Sequence, residues 1–337
     1  MQYEDQLKRI AKAMVASGKG LLAADESSAT ANKRLTAVGL ESTEEIRREY
    51  RQLLLTTEGV EQYLSGVILF DETIRQKDDG GTPFADVLKS EGIIPGIKVD
   101  AGAKDLALHE GEKVTEGLDG LRERFAEYAK MGAGFAKWRA VITIKGDDLP
   151  SEACIHANAH ALARYAALAQ EAGIVPVVEP EVLLDGDHSI ERCYEATAAT
   201  LKFLFAELKG QDVMLEGVIL KASMVLSGKD APERAGVQEV AEQTVKCLKE
   251  NVPAELAGVV FLSGGQSELE ATAHLDAMNK IGGLPWPLTF SYSRAIQNPV
   301  LKLWAEKKPD EAAAVYLKRC EANSLASKGE WSETFEK

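Results

Sequence analysis

Three lysines sit inside apolar runs, where lysine is scarce unless paired. Lys98 lies in Pro95–Asp100 (PGIKVD), Lys137 in Phe135–Ile144 (FAKWRAVITI) and Lys221 in Glu216–Val225 (EGVILKASMV). Carboxylates do the same: Asp25 ends Gly20–Asp25 (GLLAAD), and Glu179 and Glu181 interrupt Val175–Val182 (VPVVEPEV). A lysine held in an apolar wall beside a second cation has its charged form disfavoured, so its pKa falls from the reference of about 10.4. The neutral amine can then attack a carbonyl carbon and form a Schiff base. Lys221 has the most apolar flanks and is the expected nucleophile, with Lys137 as the second cation. Asp25, Glu179 and Glu181 are the groups able to move protons for it. Taken singly, each lysine also fits an ion-pair partner of an acid on a neighbouring strand. Three lysines on three strands, with acids at matching heights, favour chemistry.

Two further groups of residues suit an anion. Ser263-Gly264-Gly265 follows an apolar run, where glycines expose backbone N–H groups and a helix N-terminus favours negative charge. Ser291, Ser293 and Arg294 add hydroxyls and a guanidinium where the last run closes. The glycines alone fit an ordinary tight turn equally well. Ser27, Thr30, Lys33 and Arg34 form a second patch after the first run, joined by Lys98 and Arg139. That patch also reads as a solvated helix start. His156 and His160 have a zinc-ligand spacing, i and i+4, but residue 157 is Ala where a zinc protease would carry Glu. They read as a surface pair, and no metal or other cofactor is expected.

The elements that position these groups recur along the chain. Apolar runs begin at Gly20, Gly66, Pro95, Phe135, Val175, Glu216, Gly258 and Pro287, so the starts are 46, 29, 40, 40, 41, 42 and 29 residues apart. The seventh run is Gly258–Gly265 and the eighth Pro287–Arg294. Between them the pattern turns helical, as in SEACIHANAHALARYAALAQEAG, closed by Gly173, and IERCYEATAATLKFLFAELKG, preceded by Asp187 and Ser189 as caps. Eight alternations of strand and helix predict a single-domain α/β fold, a parallel (β/α)8 TIM barrel. A doubly wound open sheet is the structural rival. In a closed barrel the side chains at i and i+2 share one side, so Lys98 with Asp100, Lys137 with Arg139, and Glu179 with Glu181 form same-side pairs.

Composition agrees with one ordinary globular unit. Apolar residues make up 45% and charged residues 27% of 337. With 39 basic and 53 acidic residues the net charge is −14, which disfavours nucleic acid and anionic membranes as partners. The N-terminal residues carry no apolar leader, and the four cysteines show no C-x-x-C pair. A cytoplasmic location is expected.

At GKGLLAADES, GVILFDET, GIKVD, FAKWR, VPVVEPE, ILKASMV, FLSGGQS and LTFSYSRA the chain resembles the Schiff-base (class I) fructose-bisphosphate aldolases. The likeness continues in EYRQLLLTT, LARYA, GDH and ANSLA, over almost the whole chain. It implies a barrel, usually tetrameric, that reversibly cleaves fructose 1,6-bisphosphate to dihydroxyacetone phosphate and glyceraldehyde 3-phosphate without a metal. By position, Lys221 resembles the Schiff-base residue, Glu179 the acid/base of imine formation with Glu181 beside it, and Lys137 the neighbouring active-site lysine. Asp25 resembles the aspartate that handles the C4 hydroxyl proton. Ser263, Gly264, Gly265, Ser291, Ser293 and Arg294 correspond to the C1-phosphate end, and Ser27, Thr30, Arg34, Lys98 and Arg139 to the other. The chain departs from the family at Ala222-Ser223 after the nucleophile and at Ser293, where glycine is common. Its last residues, 325–337, read as a short tail ending Phe335-Glu336-Lys337, with no terminal tyrosine. Another Schiff-base barrel enzyme such as a transaldolase, and a non-catalytic sugar-phosphate scaffold, are the alternatives.

Overall fold

Eight strands close into a parallel barrel in the computed structural model, which describes residues 2–336. They are β1 (Gly20–Ala24), β2 (Leu64–Leu69), β3 (Ile94–Lys98), β4 (Phe135–Ile142), β5 (Val175–Val182), β6 (Ile219–Ala222), β7 (Gly258–Phe261) and β8 (Leu288–Tyr292). Each strand pairs with its neighbours in sequence, and β1 pairs with β8 to close the ring. The open-sheet alternative is thereby excluded. Helices lie between the strands, as right-handed crossovers require.

The strands alternate as a barrel wall must. Leu22, Ala24, Val67, Leu69, Ala136 and Trp138 face the helices, in the larger apolar core. Leu21, Ala23, Ile68, Phe135, Val175, Val177, Ile219 and Val260 fill the interior. A helix over Glu4–Met14 plugs the N-terminal end of the barrel, burying Leu7, Ala11 and Met14 completely. Each such leucine or methionine contributes about 1.5–3 kcal/mol. The opposite end remains open, and there the interior positions change from apolar to charged.

Two glycines make room at the base. A Cβ on Gly96 would lie 2.2 Å from Phe135 Cζ, and one on Gly66 would lie 2.9 Å from Phe135 Cε1. The ring lies across both strands inside an enclosed cluster, so neither side yields. Gly96→Ala is therefore expected to lower stability by about 1–3 kcal/mol, read as a lower urea midpoint with an unchanged slope. An unshifted midpoint would show that the ring can move aside.

Of the two caps expected before the helix Ile190–Gly210, Ser189 serves and Asp187 lies two residues before it. Ser151, Ser189 and Ser267 accept the backbone N–H groups of Cys154, Arg192 and Glu270, and Glu270 completes a capping box. Several strands are shorter than the apolar runs suggest. Glu216 and Gly217 form a 3-10 turn before β6, and Arg294 opens the helix Arg294–Ala305 instead of ending β8. The second apolar run, read from the sequence as Gly66–Glu72, ends earlier, because Asp71 and Glu72 start a short helix. The C-terminal helix, Pro309–Ala326, takes in residues 325 and 326 of the expected tail. Beyond it Trp331 is buried and Glu336 pairs with Arg319 at 2.6 Å.

Candidate active site

The charged interior positions meet at the C-terminal mouth, in a cleft of about 690 Å³. Lys137 Nζ lies 2.6 Å from Asp25 Oδ2 and 3.1 Å from Glu179 Oε2, and Lys221 Nζ lies 3.0 Å from Glu179 Oε1. Asp25, Lys137, Glu179 and Lys221 are each less than a tenth exposed. Register explains the convergence: Lys137 is opposite Val177 on β5, which is opposite Ile219 on β6. One interior step up from those apolar residues stand Glu179 and Lys221. The chain thus supplies two ammonium groups that share one carboxylate, with a second carboxylate on the outer lysine.

Their electrostatics follow from that sharing. Burial alone would raise the Asp25 carboxyl, but Lys137, Lys221 and Lys98 outweigh it and hold it at about 2 against an ordinary 3.8. Burial would also raise Glu179, and Lys137, Lys221 and Arg139 together bring it below the usual range. Burial would lower Lys137, yet Asp25, Glu179 and Asp100 keep it firmly protonated. The hydrogen-bonding capacity of Glu179 Oε2 is unused, because Lys137 meets it as a charge and not as an aligned donor.

Because Asp25 is depressed in the folded state, its share of stability is complete above pH about 4 and is lost as pH falls from 3.8 towards 2. Asp25→Asn should consequently flatten the acid limb of the stability profile over that interval, read by denaturant midpoints at several pH values. An unchanged limb would mean that Asp25 is not the titrating group.

Around this centre lie the remaining expected site residues. Ser27, Thr30, Arg34, Lys98, Arg139, Glu181, Ser263, Gly264, Ser291, Ser293 and Arg294 all line the same cleft. Gly265 does not; it stands behind Gly264 with φ +98°, and a Cβ there would lie 3.8 Å from Arg294 Nη2. Ser291 Oγ is buried without a protein partner, and Arg294 is exposed with no carboxylate partner among the described residues. Hydroxyl, guanidinium and glycine N–H groups thus gather beside β7 and β8. Of the other cations at the mouth, Lys98, Arg139 and Arg34 are already paired, while Lys33 is exposed. Lys98 lies 2.5 Å from Asp100 Oδ1, Arg139 meets Glu181, and Arg34 meets Glu26.

The Ser293 hydroxyl is already engaged within the protein. It donates to Glu26 Oε1 at 2.7 Å, and Gln297 Nε2 and Arg34 Nη1 approach it at 3.2 and 3.4 Å. Glu26 is a hub that the sequence reading missed. It accepts from Arg51 at 2.5 Å and from Gln297 at 3.2 Å as well, so it ties the end of β1 to the helix after β8. Gln266 was missed as well. Gln266 Nε2 donates to the Ser263 carbonyl at 3.0 Å, while His274 Nδ1 lies 2.6 Å from Gln266 Oε1. Burial depresses His274 to about 4, so a neutral ring supports the Ser263 turn. The signal available in sequence was only a second acid after Asp25 and a Gln after the glycines. His156 and His160 lie away from the mouth and both meet Glu207, at 3.3 and 2.9 Å.

Comparison with known proteins decides the family. The family model described as Glycolytic, fructose-bisphosphate aldolase class-I, matches residues 6–337. The chain belongs to the class-I fructose-bisphosphate aldolases. It is 60% identical over 330 residues to the probable fructose-bisphosphate aldolase class 1 of Xanthomonas campestris, covering 97% of this chain and 98% of that one. Against fructose-bisphosphate aldolase C of Carassius auratus it is 50% identical, covering 98% and 92%. The fructose-bisphosphate aldolase of Plasmodium falciparum, crystallised with TRAP and a small-molecule inhibitor, superposes with a TM-score of 0.97. That pair is 46% identical, over 98% of this chain and 96% of that one. The aldolase fold is therefore the TIM barrel expected from sequence. Among the described residues of this aldolase, no helix is long and apolar enough to cross a membrane.

Proposed function

We propose that this cleft reversibly cleaves fructose 1,6-bisphosphate to dihydroxyacetone phosphate and glyceraldehyde 3-phosphate, with Lys221 as the Schiff-base nucleophile. The observation that carries the reading is the carboxylate of Glu179 shared between Lys221 and Lys137 within a buried mouth. An amine must lose its proton before it attacks a ketone, and Glu179 Oε1 is the acceptor in contact with Lys221. Nζ adds to C2, the added nitrogen passes one proton to the C2 oxygen to make a hydroxyl, Glu179 returns the other to that hydroxyl, and water leaves to give an iminium. Asp25 takes the C4 hydroxyl proton, the C3–C4 bond breaks, and its electrons neutralise the iminium as an enamine. The aldehyde departs; protonation at C3 and hydrolysis release the ketose-derived half and restore Lys221.

The iminium is an internal electron sink, so the step asks nothing of a metal. Lys137, held protonated, stabilises negative charge at the reacting end. Ser263, Gly264, Ser291 and Arg294 bind the C1 phosphate, with Gly265 shaping the turn behind them. Ser27, Thr30, Arg34, Lys98 and Arg139 take the remote phosphate, and Glu181 holds Arg139. Ser293 serves through Glu26. Following the family resemblance, the reading extends to a homotetramer in the cytoplasm that acts on sugar phosphates and takes no nucleic-acid or membrane partner. Cleavage of fructose 1,6-bisphosphate should proceed at an unchanged rate with excess chelator. Loss of turnover that a divalent ion restores would overturn the mechanism.

A further inference from the structure

Asp100 lies two residues beyond Lys98 at the end of β3, and its side chain is 3% exposed. Oδ1 lies 2.5 Å from Lys98 Nζ and accepts the Gly102 N–H at 3.1 Å, while Oδ2 accepts the Arg139 N–H at 3.2 Å. Lys98 also donates to the Asp100 carbonyl oxygen at 3.0 Å. An ammonium has three N–H donors. Asp100 takes two of them, which fixes the direction of the third. The backbone of Arg139 is held by the other carboxylate oxygen, and Gly102, tied to the first, is part of the cleft wall. In the ring of strands, β3 and β4 stand four places from β7 and β8. Asp100 therefore organises the side of the mouth opposite Ser263, Ser291 and Arg294.

We propose that Asp100 is a positioning residue that sets selectivity for a second phosphate, by aiming Lys98 and Arg139 at the end of the sugar remote from C1. This rests on the functional reading above. The ligand chemistry is a phosphate monoester dianion, which accepts from an ammonium and a guanidinium together. Asp100→Asn keeps the shape and breaks the arrangement. Whichever way the amide turns, its NH2 faces a donor, either Lys98 with Gly102 or the Arg139 N–H.

The test is kcat/KM on fructose 1,6-bisphosphate and on fructose 1-phosphate. Asp100→Asn should lower the bisphosphate value about tenfold more than the monophosphate value, the scale of one charge-assisted hydrogen bond; any loss through Lys137, which keeps Asp25 and Glu179 at 2.6 and 3.1 Å, falls on both sugars alike. Asp100→Glu, which keeps the charge but displaces the oxygens, should shift the ratio in the same direction and serves if the amide variant fails to fold. In a Lys98→Ala background, Asp100→Asn should move the ratio less than in the wild type, by only the share that acts through Arg139. Equal losses on both sugars would overturn the proposal in favour of a merely structural role. A gain in bisphosphate preference would overturn it in favour of Asp100 restraining Lys98. Failure of the functional reading is separate: the wild type would then trap no imine and cleave neither sugar.

Discussion

Lys221→Arg should abolish cleavage while leaving the barrel folded. Arginine stays protonated at any accessible pH and cannot attack C2, so no imine forms. The side chain retains a cation for Glu179, which lies 3.0 Å from Lys221 Nζ, so the buried carboxylate is not left without a charge partner. Covalent catalysis is lost completely, and turnover should fall to the assay background. Thermal unfolding close to that of the wild type would separate this from misfolding. Residual cleavage at a tenth of the wild-type rate would show that another amine does the chemistry.

Glu179→Gln should lower kcat by about 10²–10⁴, the usual contribution of a positioned proton-transfer group. Glutamine can still accept from one of the two lysines through its carbonyl oxygen, its NH2 then facing the other, but it can neither take the amine proton nor return it to the carbinolamine hydroxyl. The phosphate contacts beside β7 and β8 are untouched, so binding should change much less than turnover. Glu179 is 3% exposed and touches both lysines, which makes its loss felt before the C3–C4 bond is broken. The variant should therefore form imine slowly in a single turnover. A selective rise in KM with kcat preserved would reassign Glu179 to substrate binding.

The reacting set was legible because a lysine inside an apolar run demands an explanation. Lys98, Lys137 and Lys221 stood out for that reason, and strand alternation assigned their partners to the same side. Strand existence was legible from short apolar runs, whereas their ends were not. Arg294 looks like a strand residue until the Ser293 backbone breaks the extended conformation and a helix begins. Glu216 and Gly217 look equally strand-like and form a 3-10 turn. The short polar strands Ala103–Asp105 and Lys113–Thr115 carry no apolar pattern, so their hairpin left no signal. Glu26 was hidden for a different reason, and so were the contacts of Asp100 beyond its expected pairing with Lys98. A carboxylate at a strand end resembles any loop acid, and its importance lies in partners far away in sequence. Arg51, Ser293 and Gln297 reach Glu26, and Arg139 reaches Asp100, only once the barrel has closed.

The central claim is that Lys221 carries the covalent intermediate. Incubation of the wild-type protein with dihydroxyacetone phosphate and borohydride should reduce the C=N bond to a stable secondary amine. Peptide mass spectrometry should then find the added mass on the peptide containing Lys221, and there alone. Label on Lys137 or Lys98, or protein that remains active and unlabelled, would contradict the account.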